Sequence, residues 1–141
     1  MSSGDGRKLT EVVAAADSRL RPYAREAPVE GDLDLEVPDP DRAFTLEAVR
    51  EGYLLHYGEP RAFERMDPDL QLLAGDALYA LGLERVARAG DVAAIAELSD
   101  LISLCAWAHS TGRQELAADA WRASVAALAG RGPGARAAIP L

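Results

Sequence analysis

Apolar side chains recur at helical spacing along most of this 141-residue chain. Leu9, Val12, Val13, Ala16 and Leu20 follow the i, i+3, i+4, i+7, i+11 order of a helix with one apolar face. Pro22 follows, and a proline removes a backbone donor and crowds the preceding turn, so the first helix is predicted over residues 7–24. A second helix is predicted from Thr45, a good N-cap, with Phe44 and Val49 placed as a hydrophobic staple. It should end near Tyr57, because Gly58 suits a left-handed C′ position and Pro60 blocks resumption.

The third helix has the clearest punctuation. Asp67 is its expected N-cap, Pro68 occupies the first turn where a missing N–H costs nothing, and Gly90 stops it. The run is apolar around most of its circumference, which places it at the centre of a bundle. Gly75 and Gly82, seven residues apart, form a flat strip for close packing against a neighbour, offsetting a propensity cost of about 1 kcal/mol each. Asp91 should cap a fourth helix reaching Ser110, with Leu98, Leu101, Ile102, Cys105 and His109 on one face. A turn as short as Gly90-Asp91 makes helices three and four an antiparallel hairpin. Thr111 and Gln114 have the spacing of a capping box for a fifth helix, whose inward stripe is Ala117, Trp121, Val125 (or Ser124) and Leu128.

Between the first two helices the pattern fails. Residues 26–43 are rich in acid and proline, and read as a linker or strap. Leu33, Leu35 and Val37 alternate with acids there, leaving open a short edge strand or a bound extended segment beside the preferred solvated loop. The expected fold is all-α: a single-domain antiparallel bundle of about five helices. Its parts are an N-terminal helix (1–25), the acidic linker (26–43), a helical core (44–130) and a flexible tail (131–141), the last rich in Gly and Pro.

Composition narrows the function classes. A net charge of -8 disfavours nucleic acid, whose backbone is held by Lys and Arg. A single cysteine excludes an internal disulfide framework. There is no long apolar region near the N-terminus and no apolar run of about 18 residues, so a cytoplasmic protein without a transmembrane segment is expected.

Few residues point to chemistry. Asp76 lies inside the apolar third helix, where a carboxylate shifts its pKa upward or finds a partner. It is read either as a structural group or as a base, ligand or substrate anchor. Cys105 and His109 are four apart on one face, a spacing for an activated thiolate or two metal ligands, though a buried thiol usually packs as a small hydrophobe. Asp76, Cys105 and His109 thus form a candidate polar buried site. His56 closes the second helix, where an imidazole suits the helix dipole. Neither histidine has a Glu three residues before it, which excludes a ferritin-like diiron centre. Neither G-x-S-x-G nor a phosphate-binding glycine loop occurs, and no metal or cofactor is expected. Trp107, with Asp100 and Ser103 on its face, is a candidate interface.

The stretch Leu72-Leu73-Ala74-Gly75-Asp76-Ala77-Leu78-Tyr79-Ala80-Leu81, followed by the Gly90-Asp91 turn, resembles the central helices of polyprenyl (isoprenoid) diphosphate synthases. The resemblance implies an all-α fold, a structural role for Asp76, and a prenyl chain lying between helices two, three and four where Gly75 and Gly82 make room. The family's aspartate-rich magnesium motifs are missing: Asp67-Pro68-Asp69 stands where the first belongs, and no second follows. The leading expectation is therefore a non-catalytic interaction or accessory subunit, acting by self-association or on a larger protein partner. The alternatives are an isoprenoid-binding or catalytically silent synthase-like subunit, and a small enzyme centred on Asp76.

Overall fold

A computed structural model describes residues 3–139, with side chains from Lys8 onward. The fold is all-α: 69% helix and, among the described residues, no strand. Six α-helices follow in order: α1 (Ser3–Ala15), α2 (Pro40–Tyr57), α3 (Pro68–Arg88), α4 (Val92–Ser110), α5 (Gln114–Leu128) and the short α6 (Ala135–Ala138), with a 3₁₀ segment, Ser18–Tyr23, after α1.

The first predicted helix is two pieces. Asp17 accepts a hydrogen bond from the Arg19 backbone N–H at 2.9 Å and starts a new 3₁₀ turn, which Pro22 keeps short. Helix α2 starts earlier than Thr45, because Asp39 accepts from the backbone N–H groups of Asp41 and Arg42 and Pro40 fills the first turn. Thr45 instead lies inside the helix, fully buried, donating its hydroxyl to the Gly82 carbonyl at 2.8 Å. Thr111 likewise closes α4, donating to the Trp107 carbonyl at 2.9 Å, while α5 begins at Gln114 without a side-chain cap.

The strap is neither a strand nor a solvated loop. Arg25 N–H donates to Ala62 O at 2.8 Å and Val29 N–H to Arg61 O at 2.9 Å, beside one antiparallel bridge, Ala24–Phe63. Leu35 and Val37 point inward at 2% and 6% exposure, so the alternation of apolar and acidic positions places two side chains in the core. The C-terminal segment also folds back: Ala135 and Ile139 are buried against the α4–α5 hairpin rather than loose.

The centre of the bundle is α2, not α3. Phe44 to Val49 are all buried, and α2 contributes to both apolar clusters. One cluster gathers Leu46 and Val49 with α4 and α5; the other gathers Phe44, Ala48 and Leu55 with α1 and Phe63. Helix α3 turns a narrow strip inward, Gly75, Leu78, Gly82 and Val86, and leaves Leu72 and Leu73 at the surface. A Cβ built on Gly75 would collide with the His56 ring and lie 2.9 Å from Gly52 O; one on Gly52 would lie 2.8 Å from Gly75 O. The two backbones meet there. Arg42 then ties α2 to the rest, pairing with Asp91 at 2.6 Å and donating to Leu128 O at 3.1 Å.

Gly75→Ala tests this crossing. Helix propensity favours Ala by about 1 kcal/mol, but pushing apart two helices in backbone contact costs about 1–3 kcal/mol or more. Because the collision includes backbone, net destabilisation of about 1–2 kcal/mol is expected in urea unfolding. A stabilised variant would show that the helices separate freely.

Candidate functional site

Two polar assemblies stand out, and both are organised by α2. The first surrounds Glu47 and Glu51, four apart and therefore on one face of that helix. Glu51 is 0% exposed and Glu47 3%. Glu51 accepts from Arg61 N–H at 3.2 Å, Arg61 Nε at 3.1 Å and Ala62 N–H at 2.9 Å. Arg61 Nη1 donates to Glu47 Oε1 at 2.7 Å. Asp32, from the strap, is held bidentately by Arg50 at 2.8 Å and lies 3.7 Å from Arg61 Nε. Burial is the largest influence on Asp32 and raises its pKa, but the Arg50 hydrogen bonds, the Leu33 backbone N–H and the charges of Arg50 and Arg61 together outweigh it and hold the carboxyl below the usual range. For Arg61 burial acts to lower the pKa, and Glu47 and Glu51 reverse it to a net rise.

A cleft of about 310 Å³ opens beside this network under the strap, walled by Leu9, Val29 and Leu33, by the acids Glu30, Asp32, Asp34 and Glu47, and by Arg61. Its charge suits a cation better than an anion. Among the described residues, no three His, Cys, Asp or Glu side chains come together as metal ligands would.

The second assembly joins the ends of α2 and α4. Tyr57 stacks on His109 with ring centroids 4.0 Å apart and planes 6° from parallel. Tyr53 Oη and His109 Nε2 share a hydrogen bond at 2.7 Å, and the Tyr53 ring meets Trp121 edge-on at 5.5 Å. Arg50 lies over both the Tyr53 and Trp121 rings, at 5.1 and 4.9 Å. Cys105 is buried behind this group, and burial pushes its thiol up to about 12, against weaker opposing effects of Arg50 and the Trp121 indole. Such a thiol is protonated at neutral pH and is a poor nucleophile. Burial likewise pushes Tyr53 up to about 12 and lowers His109 below its ordinary value.

Asp76 is not in the interior. Its side chain is 72% exposed, and His56 Nε2 lies 3.2 Å away while donating to the Leu72 carbonyl at 3.0 Å. A flat glycine strip can face only one neighbour, and Asp76 follows Gly75 around the helix toward solvent. Asp76, Cys105 and His109 therefore do not form one buried polar site. The room beside Gly75 and Gly82 is filled by His56, Thr45 and Val49.

Trp107 and Asp100 each have one loose contact within the chain. Arg113 lies over the Trp107 ring at 5.5 Å, and Asp100 is 3.9 Å from Arg136 of α6. Ser103 belongs to an adjacent, open stripe of α4: Val92, Ala96, Ser99, Ser103, Ala106 and Ser110 are all exposed and all uncharged. Only 28% of the helix's most apolar window is buried, at a mean hydropathy of 1.3. By length and composition α4 is apolar enough to cross a membrane, which the absence of an uninterrupted apolar run did not suggest; in this fold Leu98, Leu101, Cys105 and Ala108 are core.

Sequence reasoning passed over Glu47, Glu51, Arg61, Arg50 and Asp32. The signal was present: two acids at i and i+4 on a helix whose other positions are Leu46, Ala48, Val49, Leu54 and Leu55. Starting that helix at Thr45 put Glu47 in its first turn, where an acid is ordinary, and left Glu51 alone on the face. Comparison with known proteins adds no assignment: no family model matches the chain, and neither a curated protein nor a solved structure matches it.

Two measurements check these sites. Arg61→Ala leaves two buried carboxylates without their guanidinium and should cost about 3–5 kcal/mol in denaturant unfolding; a loss below 1 kcal/mol would mean that the acids are solvated. His109 has a folded pKa below its unfolded value near 6.5, so its stabilising contribution is complete above that value and fades as pH falls through the folded pKa. His109→Gln should flatten the slope of stability between about pH 5 and 7. An unchanged slope assigns the titration to another group.

Proposed function

We propose that this chain is a non-catalytic all-α interaction subunit whose working surface is the outward stripe of α4, on which a helix of a larger partner protein packs. One observation carries the reading. Val92, Ala96, Ser99, Ser103, Ala106 and Ser110 alternate at spacings of four and three residues, the a/d spacing of a helix–helix seam, and expose no charge on a chain with net charge -8. Half-buried Ile95 and Ile102 flank the stripe. Small side chains let a second helix approach closely.

The acid–base groups described above each have a buried setting or a partner within the fold. Cys105 is a buried thiol, His109 is clamped between Tyr53 and Tyr57, and Asp76 pairs with His56 at the surface. Glu47 and Glu51 are bound to Arg61.

The test places charge on the stripe. Ala96→Glu with Ser103→Glu should leave the circular dichroism spectrum and thermal midpoint close to wild type, since exposed substitutions usually change stability by less than about 0.5 kcal/mol. The same pair should abolish complex formation seen by sedimentation velocity and by affinity capture from the native source. Wild-type and charged chains that sediment identically and retain the same proteins would sink the reading.

A further inference from the structure

The segment Ala135–Ile139 occupies its groove in the manner of a bound peptide. Its first backbone N–H, at Ala135, donates to Glu97 Oε2 at 2.9 Å, an oxygen that also accepts from Ser124 Oγ at 2.5 Å. Ala135 is 0% exposed and Ile139 5%, four residues apart and therefore on one face, while Arg136, Ala137 and Ala138 face solvent. The position before Ala135 admits only glycine: Gly134 has φ +103°, and a side chain there would collide with Glu97. The pattern is a short motif, Gly-Ala-x-x-x-Ile, recognised by one carboxylate and two apolar seats between α4 and α5.

The attachment of this segment is slight. α6 is four residues long, far below the length at which a helix holds itself together, so its order comes from the groove. Residues 130–133 connecting it to α5 are exposed, and Gly130 has φ +79° with open space around it. Gly130 and Arg131 close α5 by donating to Ala127 O at 3.0 Å and Ala126 O at 2.7 Å, which leaves Gly132-Pro133 as the free part of the connection.

We propose that the α4–α5 groove is an exchangeable docking site: it takes residues 135–139 of its own chain, and equally the same segment of a second copy. Every contact made in cis is available in trans, so the two states differ only in the tether and in the entropy of association. A tethered segment acts at an effective concentration of about 1 mM for a short flexible linker, and exchange between copies is therefore hidden at micromolar protein. This surface is separate from the outward stripe of α4 and does not depend on the partner proposed for it.

The test uses the full-length chain. Ile139→Asp should undock the segment and leave the groove empty. A fluorescent synthetic peptide of residues 130–141 should then bind this variant in the micromolar range by anisotropy. Wild type should bind it at least ~100-fold more weakly, because its own segment competes. Adding Glu97→Ala to the variant should weaken binding about tenfold or more, through loss of a charge-assisted hydrogen bond. Adding Ser103→Glu should leave it unchanged, which separates this site from the α4 stripe. In a second arm, deleting Gly130–Gly132 leaves only Pro133 and Gly134 to make a turn that now takes five residues. That chain should form dimers in light scattering at about 100 µM, well above the micromolar affinity expected in trans. A natively helical Ile139→Asp chain that ignores the peptide, or a deletion chain that stays monomeric, overturns the proposal. Should Ile139→Asp fail to fold, the deletion chain decides alone.

Discussion

Two carboxylates inside the central helix set the terms for everything around them. Glu47 and Glu51 lie on a face of α2 that is closed to water, and an ionised carboxylate there is tolerated only with opposite charge and full hydrogen bonding. Arg61 meets both, and Arg61 stands in the connector after α2, so the connector must return along the helix it has just left. The strap is drawn in with it, because Val29 N–H donates to Arg61 O and Asp32 is gripped by Arg50. One electrostatic demand thus fixes α2, the connector and the strap as a unit.

The remaining helices solve a packing demand rather than an electrostatic one. The α2–α3 contact is close because Gly52 and Gly75 carry no side chains where the backbones cross. The α4–α5 hairpin is joined to α2 at both ends: by Arg42 reaching Asp91 and Leu128 O near the α3–α4 turn, and by Tyr53 and Tyr57 holding His109 near the far end of α4. These contacts place Tyr53, Tyr57 and His109 at the α2–α4 junction. What α4 leaves unused is an uncharged outer stripe, and what the hairpin accepts on its other side is a short segment of chain.

Much of the architecture was legible in the sequence because helix signals are local. Asp67-Pro68 and Asp91 start α3 and α4 through hydrogen bonds to residues three positions on, and Gly90 stops α3 with φ +73°, so nothing distant is required to read them. The inward stripe of α5 was readable for the same reason, since Ala117, Trp121, Ser124, Val125 and Leu128 follow from period alone. Boundaries that depend on a choice between equivalent caps were less legible: Asp39 and Thr45 are both good N-caps for α2, and Asp39-Pro40 prevails because the helix buries Thr45 against Gly82.

The sequence by itself determined most of the helical elements, because these follow from spacing, caps and residue type. Only the tertiary structure decided which helix is the hub, that Asp76 faces water while Glu47 and Glu51 do not, and which stripe of α4 stays open. The physical reason is that burial belongs to pairs of elements. An apolar helix such as α3 reads as central until α2, more polar in composition, proves able to bury its acids because Arg61 folds back from the connector that follows it to neutralise them.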